Sequence, residues 1–166
     1  MKLARTGIIA AAILSVASVA FAQKTDFSGS WAPEAPAAAP AGGGGGQGGG
    51  GRGGMMGGPM VVKQDATTLT VETTRGENKT VMTYKLDGTE SVNKMSMGRG
   101  ENATTIDAKS TAKWDGAKLV ISTTRAGQDG SPMTNAQTWS LEGGNLVIES
   151  PGRDGAVQKR TYKKTT

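Results

Sequence analysis

The pair best suited to recognising a ligand stands at the C-terminus, in Arg160-Thr161-Tyr162. On a strand the guanidinium and the phenol point to one side, and together they can take a carboxylate. Both groups have structural uses as well. A guanidinium can stack on an indole and bond backbone carbonyls, and a tyrosine can wall a core. Tyr84 and Trp139 are aromatic side chains with polar tips on inward faces, and the candidate ligand contacts are Tyr84, Trp139, Arg160 and Tyr162.

Other chemistry is missing. The chain has no histidine and no cysteine, which removes the commonest general base, the thiol nucleophile and the usual zinc ligands. Asp65, Asp87, Asp115, Asp129, Asp154 and Glu142 fall in predicted turns, while Glu72, Asp107 and Glu149 fall on predicted outward faces. No two carboxylates converge, so no catalytic residue, cofactor or enzyme activity is expected. Met55, Met56, Met60 and the Met95-x-Met97 pair could offer thioether sulfur to Cu(I). Met95 and Met97 share a strand face, which reads more simply as wall, and no metal site is assigned.

These side chains need a β framework. Beyond Met60 the chain holds eighteen threonines and no apolar stripe of helical spacing. Strands are predicted at 60–64, 67–75, 79–86, 89–97, 103–114, 117–125, 133–141, 145–150 and 156–163. The connections carry Asp87-Gly88, Asp115-Gly116, Asp129-Gly130, Gly143-Gly144 and Asp154-Gly155, short turns that make neighbours antiparallel. "DATTLTVETTR" (65–75) and "DGAKLVISTTR" (115–125) agree at five positions, one hairpin recipe used twice. Alternation sends Leu69, Val71, Met82, Tyr84, Ile106, Ala108, Ala112, Trp114, Leu119 and Ile121 to one side. In 133–141 that side also receives Asn135 and Gln137, which need a wet mouth or a polar partner.

The N-terminus is of another kind. Lys2 and Arg5, an apolar run from Ile8 to Val19 and Ala20-Phe21-Ala22 read as a signal peptide over 1–22, cut before Gln23. The expected location is therefore secreted or periplasmic, with no stable membrane insertion after cleavage. Losing Lys2 and Arg5 takes two from the formal net charge of +5. The mild remaining excess is spread along the chain and argues against a nucleic-acid partner. Residues 33–59 are an Ala/Pro/Gly-rich stretch, with thirteen glycines between 42 and 58, and read as a flexible loop. Residues 23–32 are expected to be a first strand and 60–166 the rest of one β domain.

So many antiparallel strands with one polar face avoid exposed edges by closing. The fold expected is an all-β, up-and-down meander closed into a barrel of eight to ten strands, the alternative being a β-sandwich. Here the two ends of the chain matter. Phe27, Gly29, Ser30 and Trp31 in "DFSGSW", with "KRTY" at 159–162, resemble the end motifs of the calycin superfamily, the lipocalins and fatty-acid-binding proteins. That resemblance implies a lipocalin-like barrel, with Phe27, Gly29 and Trp31 closing the floor and Arg160 packed across Trp31. It also implies a second use of Arg160 and Tyr162, as holders of a ligand carboxylate. Pro33 and the glycine tract depart from those families, which continue a strand there. The reading is a non-catalytic, monomeric barrel for a small amphiphilic or apolar molecule. The alternatives are a structural module with a filled core, or methionine-based Cu(I) binding.

Overall fold

The computed structural model describes residues 24–34, 58–75, 78–97, 104–127, 129–152 and 155–165. The expected signal peptide and its cleavage site, the tract at 35–57 with Met55 and Met56, and the Met97 side chain lie outside the described residues. Ten strands follow in chain order: β1 (Gly29–Pro33), β2 (Met60–Gln64), β3 (Thr68–Arg75), β4 (Asn78–Lys85), β5 (Ser91–Met97), β6 (Thr104–Asp115), β7 (Lys118–Ala126), β8 (Pro132–Glu142), β9 (Asn145–Pro151) and β10 (Val157–Thr165). From β2 onward the predicted boundaries stand within two residues of these. Among the described residues there is no helix.

Every pairing is antiparallel, and the order across the sheet is β4-β3-β2-β1-β10-β9-β8-β7-β6-β5. The first strand therefore sits between the second and the last, with Trp31 opposite Lys164 on one side and Met60 on the other. A meander whose ends pair in this way is a nearly closed barrel and not two stacked sheets. The turns make it possible. At Gly143-Gly144 both centres have positive φ (+58° and +82°), the twist that a two-residue hairpin needs.

The meander sorts its connections. The turns β2–β3, β4–β5, β6–β7 and β8–β9 lie at one end, the floor, and the opposite ends of the strands form the mouth. Residues 24–28 are not strand, contrary to the expectation that β1 begins at residue 23. They serve as a plug across the floor. Thr25 Oγ1 donates to the Ala117 carbonyl (2.6 Å) in the β6–β7 turn, and Phe27 is fully buried. Gln64 latches this segment: its Oε1 accepts from Phe27 N (3.1 Å), and its Nε2 donates to the Thr25 carbonyl (2.8 Å). A chain committed to these side-chain bonds cannot also run in a ladder, so the strand starts late.

Candidate functional site

The inward faces change character from floor to mouth. At the floor Phe27 stacks on Trp114 (centroids 6.0 Å apart) and meets Trp139 edge-on (5.8 Å), among Leu69, Leu119 and Leu146. These rings and chains fill the floor half. Toward the mouth β10, β8 and β3 loosen, while β5 and β6 stay buried as far as Met95 and Ala108. On β10 the inward series runs from buried Tyr162 through half-buried Arg160 to exposed Gln158. On β8 it runs from buried Trp139 through half-buried Gln137 to exposed Asn135 and Met133. On β3 it passes from Leu69 and Val71, both buried, to half-buried Thr73. Solvent thus reaches side chains that point into the barrel, and Asn135 and Gln137 are the wet amides that alternation allowed.

Arg160 and Tyr162 are brought together on the inner face of β10. Burial raises the Tyr162 pKa, and Arg160 pulls it back part of the way. Arg160 stands opposite Ile148, which stands opposite Trp139, so three of the four predicted contacts occupy one neighbourhood of β8–β10. The Trp139 indole donates to Gln137 Oε1 (3.4 Å), which ties it to the amide above. Tyr84 belongs elsewhere. It is buried on β4, its hydroxyl donates to Met82 Sδ (3.4 Å), and burial raises its pKa steeply. Sheet order separates it from β10 by β3, β2 and β1.

The closure motif needs one correction. The chain ends do meet over Trp31, but the cation there is Lys164, with Nζ 5.7 Å from the ring centre. Arg160 lies four residues up the strand, roughly 13 Å away at 3.3 Å per residue. Both residues share the inward face, and alternation cannot tell them apart. The register Trp31↔Lys164 decides between them. Gly29 completes the arrangement: a Cβ there would stand 2.7 Å from the Lys164 Cε. The glycine lets the lysine stem cross to the indole, whose Nε1 donates back to the Phe27 carbonyl (2.9 Å).

Two polar devices escape sequence reasoning. One is the Gln64 latch described above. The other lies where the ring of strands lacks a ladder, between β4 and β5. There the Asn93 carboxamide accepts from Thr83 N (2.8 Å) and donates to the Thr83 carbonyl (3.0 Å). Ser91 Oγ accepts from Lys85 N (2.9 Å). Two side chains stand in for a backbone ladder. Alternation marks both as inward, and that was the only signal available.

For metal chemistry, Met60, Met82 and Met95 are all buried in the wall. No group of three or more acidic, histidine or cysteine side chains gathers among the described residues. Hollows on the outer surface, beside Arg125 and Pro132 and beside Glu72 and Lys79, contain none of the four predicted ligand contacts.

No protein-family model matches the chain, and no curated protein is significantly similar to it in sequence. Among solved structures, a single-site variant of the fluorescent protein UnaG is 23% identical over 65% of this chain and 71% of its own, with a TM-score of 0.47. The REP1-NXSQ fatty acid transporter is 17% identical over 65% and 70%, with a TM-score of 0.44. Similarity at this level bears on neither ligand nor activity.

Proposed function

We propose that the protein is a non-catalytic carrier that takes a small anionic amphiphile through its mouth, apolar body inward and acidic head at Arg160. One observation carries the reading: inward-facing side chains of β3, β8 and β10 grade from a sealed aromatic floor to a solvent-reached upper half. A module that only needed stability would fill that half too. Arg160 and Tyr162 are the charge-assisted donors where the gradient turns polar, and each bond to a charged group is worth about 1.5–3 kcal/mol. Trp139 supplies wall beside them. Tyr84 supports the interior away from the head. The N-terminal segment fits a carrier released outside the cytoplasm as a monomer.

Native mass spectrometry of protein purified without detergent is expected to show a bound small molecule or uptake of added palmitate. Arg160→Ala should keep its melting temperature within a few degrees and weaken palmitate binding by about ten- to a hundredfold. A clean apo mass with no uptake would instead favour a structural module with a filled core. Loss of stability without loss of binding would assign Arg160 to the wall.

A further inference from the structure

Strand alternation sorts the charged side chains of this barrel by sign. Among the described residues no acidic side chain stands on an inward strand face, and the charges there are Arg125, Arg160 and Lys164. Lys164 is engaged at the floor, over Trp31. Arg160 is the head-group donor already described. Arg125 belongs to neither device. It ends the inward series Leu119, Ile121, Thr123 and Arg125 of β7, which runs from buried at the floor to half-buried at the mouth.

Its partners across the two ladders are Ala108 and Met133. Met133 is 52% exposed although it stands on the inward face, whereas Met60, Met82 and Met95 are buried. Gly127 holds the thioether at the rim: a Cβ there would stand 3.1 Å from the Met133 Sδ. A cation and an exposed apolar side chain therefore lie side by side at the mouth, about 5 Å apart at Cβ. The wall does not use the cation. No ion pair joins Arg125 to an acidic side chain among the described residues. The acids of this region are engaged elsewhere. Asp129, in the β7–β8 turn, accepts from N and Oγ of Ser131 (3.0 Å each), and Asp107, on the outer face of β6, pairs with Lys94 (2.9 Å).

We infer that Arg125 and Met133 form an encounter site for anionic amphiphiles at the rim, separate from the holding site at Arg160. Register gives the depth between the two arginines. Arg160 shares a cross-strand row with Ile148, Trp139 and Leu119. Arg125 stands six residues nearer the mouth on β7 than Leu119, roughly 20 Å along the strand. An acidic head arriving from solvent meets Arg125 first, and Met133 gives the apolar body its first contact. An entrance lined by one sign of charge raises the rate of encounter with the opposite sign. This rests on the amphiphile-binding reading above and divides its work: Arg125 sets the rate of capture, and Arg160 sets the rate of release.

The test is stopped-flow binding to the full protein of cis-parinarate, a fluorescent fatty acid, and of uncharged N-phenyl-1-naphthylamine. In about 10 mM salt, where charges act over about 30 Å, Arg125→Gln should slow cis-parinarate association about threefold and Arg125→Glu about tenfold. Arg125→Lys keeps the charge and should stay within about twofold of the wild type. In about 1 M salt these differences should vanish. Dissociation should change by less than about twofold in every Arg125 variant, whereas Arg160→Ala should speed it about tenfold or more. Rates for the uncharged probe should not follow the charge at position 125. Met133→Ser should slow both probes alike by about twofold, and no change would remove Met133 from the site. Association unmoved by the charge at 125, a loss shared equally by the uncharged probe, or an effect confined to dissociation overturns the encounter site and leaves the amphiphile reading standing. Failure of the wild type to bind cis-parinarate overturns both.

Discussion

At the scale of single residues, the closure of the barrel turns on three side chains that must share one small volume. Gly29 has φ of +146°, a conformation that L side chains rarely adopt, and it sits under the Lys164 stem that crosses to Trp31. Gly29→Ala should cost about 1–3 kcal/mol by chemical denaturation, from backbone strain and from the displaced lysine. A second change, Lys164→Ala, removes the steric part only. The double variant should therefore recover part of the loss and stay below the Lys164→Ala single variant. Full recovery would show that the backbone at Gly29 is unstrained. The sequence marked Gly29 and Trp31 but named the wrong cation, because Arg160 and Lys164 share a face and only the pairing distinguishes them.

At the scale of elements, the weak line of the molecule is the seam between β4 and β5. Everywhere else a backbone ladder joins neighbouring strands; here Asn93 and Ser91 do so through their side chains. The carboxamide of Asn93 has one acceptor and one donor group, which match the two backbone groups of Thr83. Asn93→Ala leaves both unmet in a partly buried place and should cost about 1–3 kcal/mol. Hydrogen exchange should localise the change: the Thr83 amide should lose protection while amides of β7 and β8 keep theirs. Equal loss across all strands would mean that the seam has no independent stability. Nothing in the strand pattern foretold this, since an inward asparagine has the same signature whether it clasps a backbone or faces water.

At the scale of the whole molecule, pH dependence follows from which groups gained partners on folding. The Asp65 carboxylate accepts from the hydroxyls and amides of Thr68 and Thr67, and these bonds hold its pKa far below the usual range. Asp87 is lowered by Thr89, Asp129 by Ser131, Asp26 by Ser28 and Glu72 by Lys79. A lowered folded pKa contributes stability above the unfolded value of about 4 and loses it as pH falls through the folded value. Tyr84 and Tyr162 are raised by burial, so their contribution is lost above the unfolded value of about 10. With no histidine, no side chain at its ordinary pKa titrates between. Stability should be flat from about pH 5 to 9, falling below about pH 4 and above about pH 10. Asp65→Asn should make the acid limb shallower. A step near neutrality in urea midpoints would contradict this.

Alternation and turn chemistry are local, so the sequence by itself determined the strands, their inward faces and the antiparallel meander. The lack of histidine and cysteine, with no converging carboxylates, set the expectation of no catalysis. Properties that depend on which residues stand opposite one another were beyond its reach. Register put Lys164 on Trp31 and not Arg160, set Arg125 beside Met133, and left β4 and β5 to be joined by Asn93. A period of two fixes the face of every residue. It says nothing about its level along the barrel, and only closure of the ring sets that level.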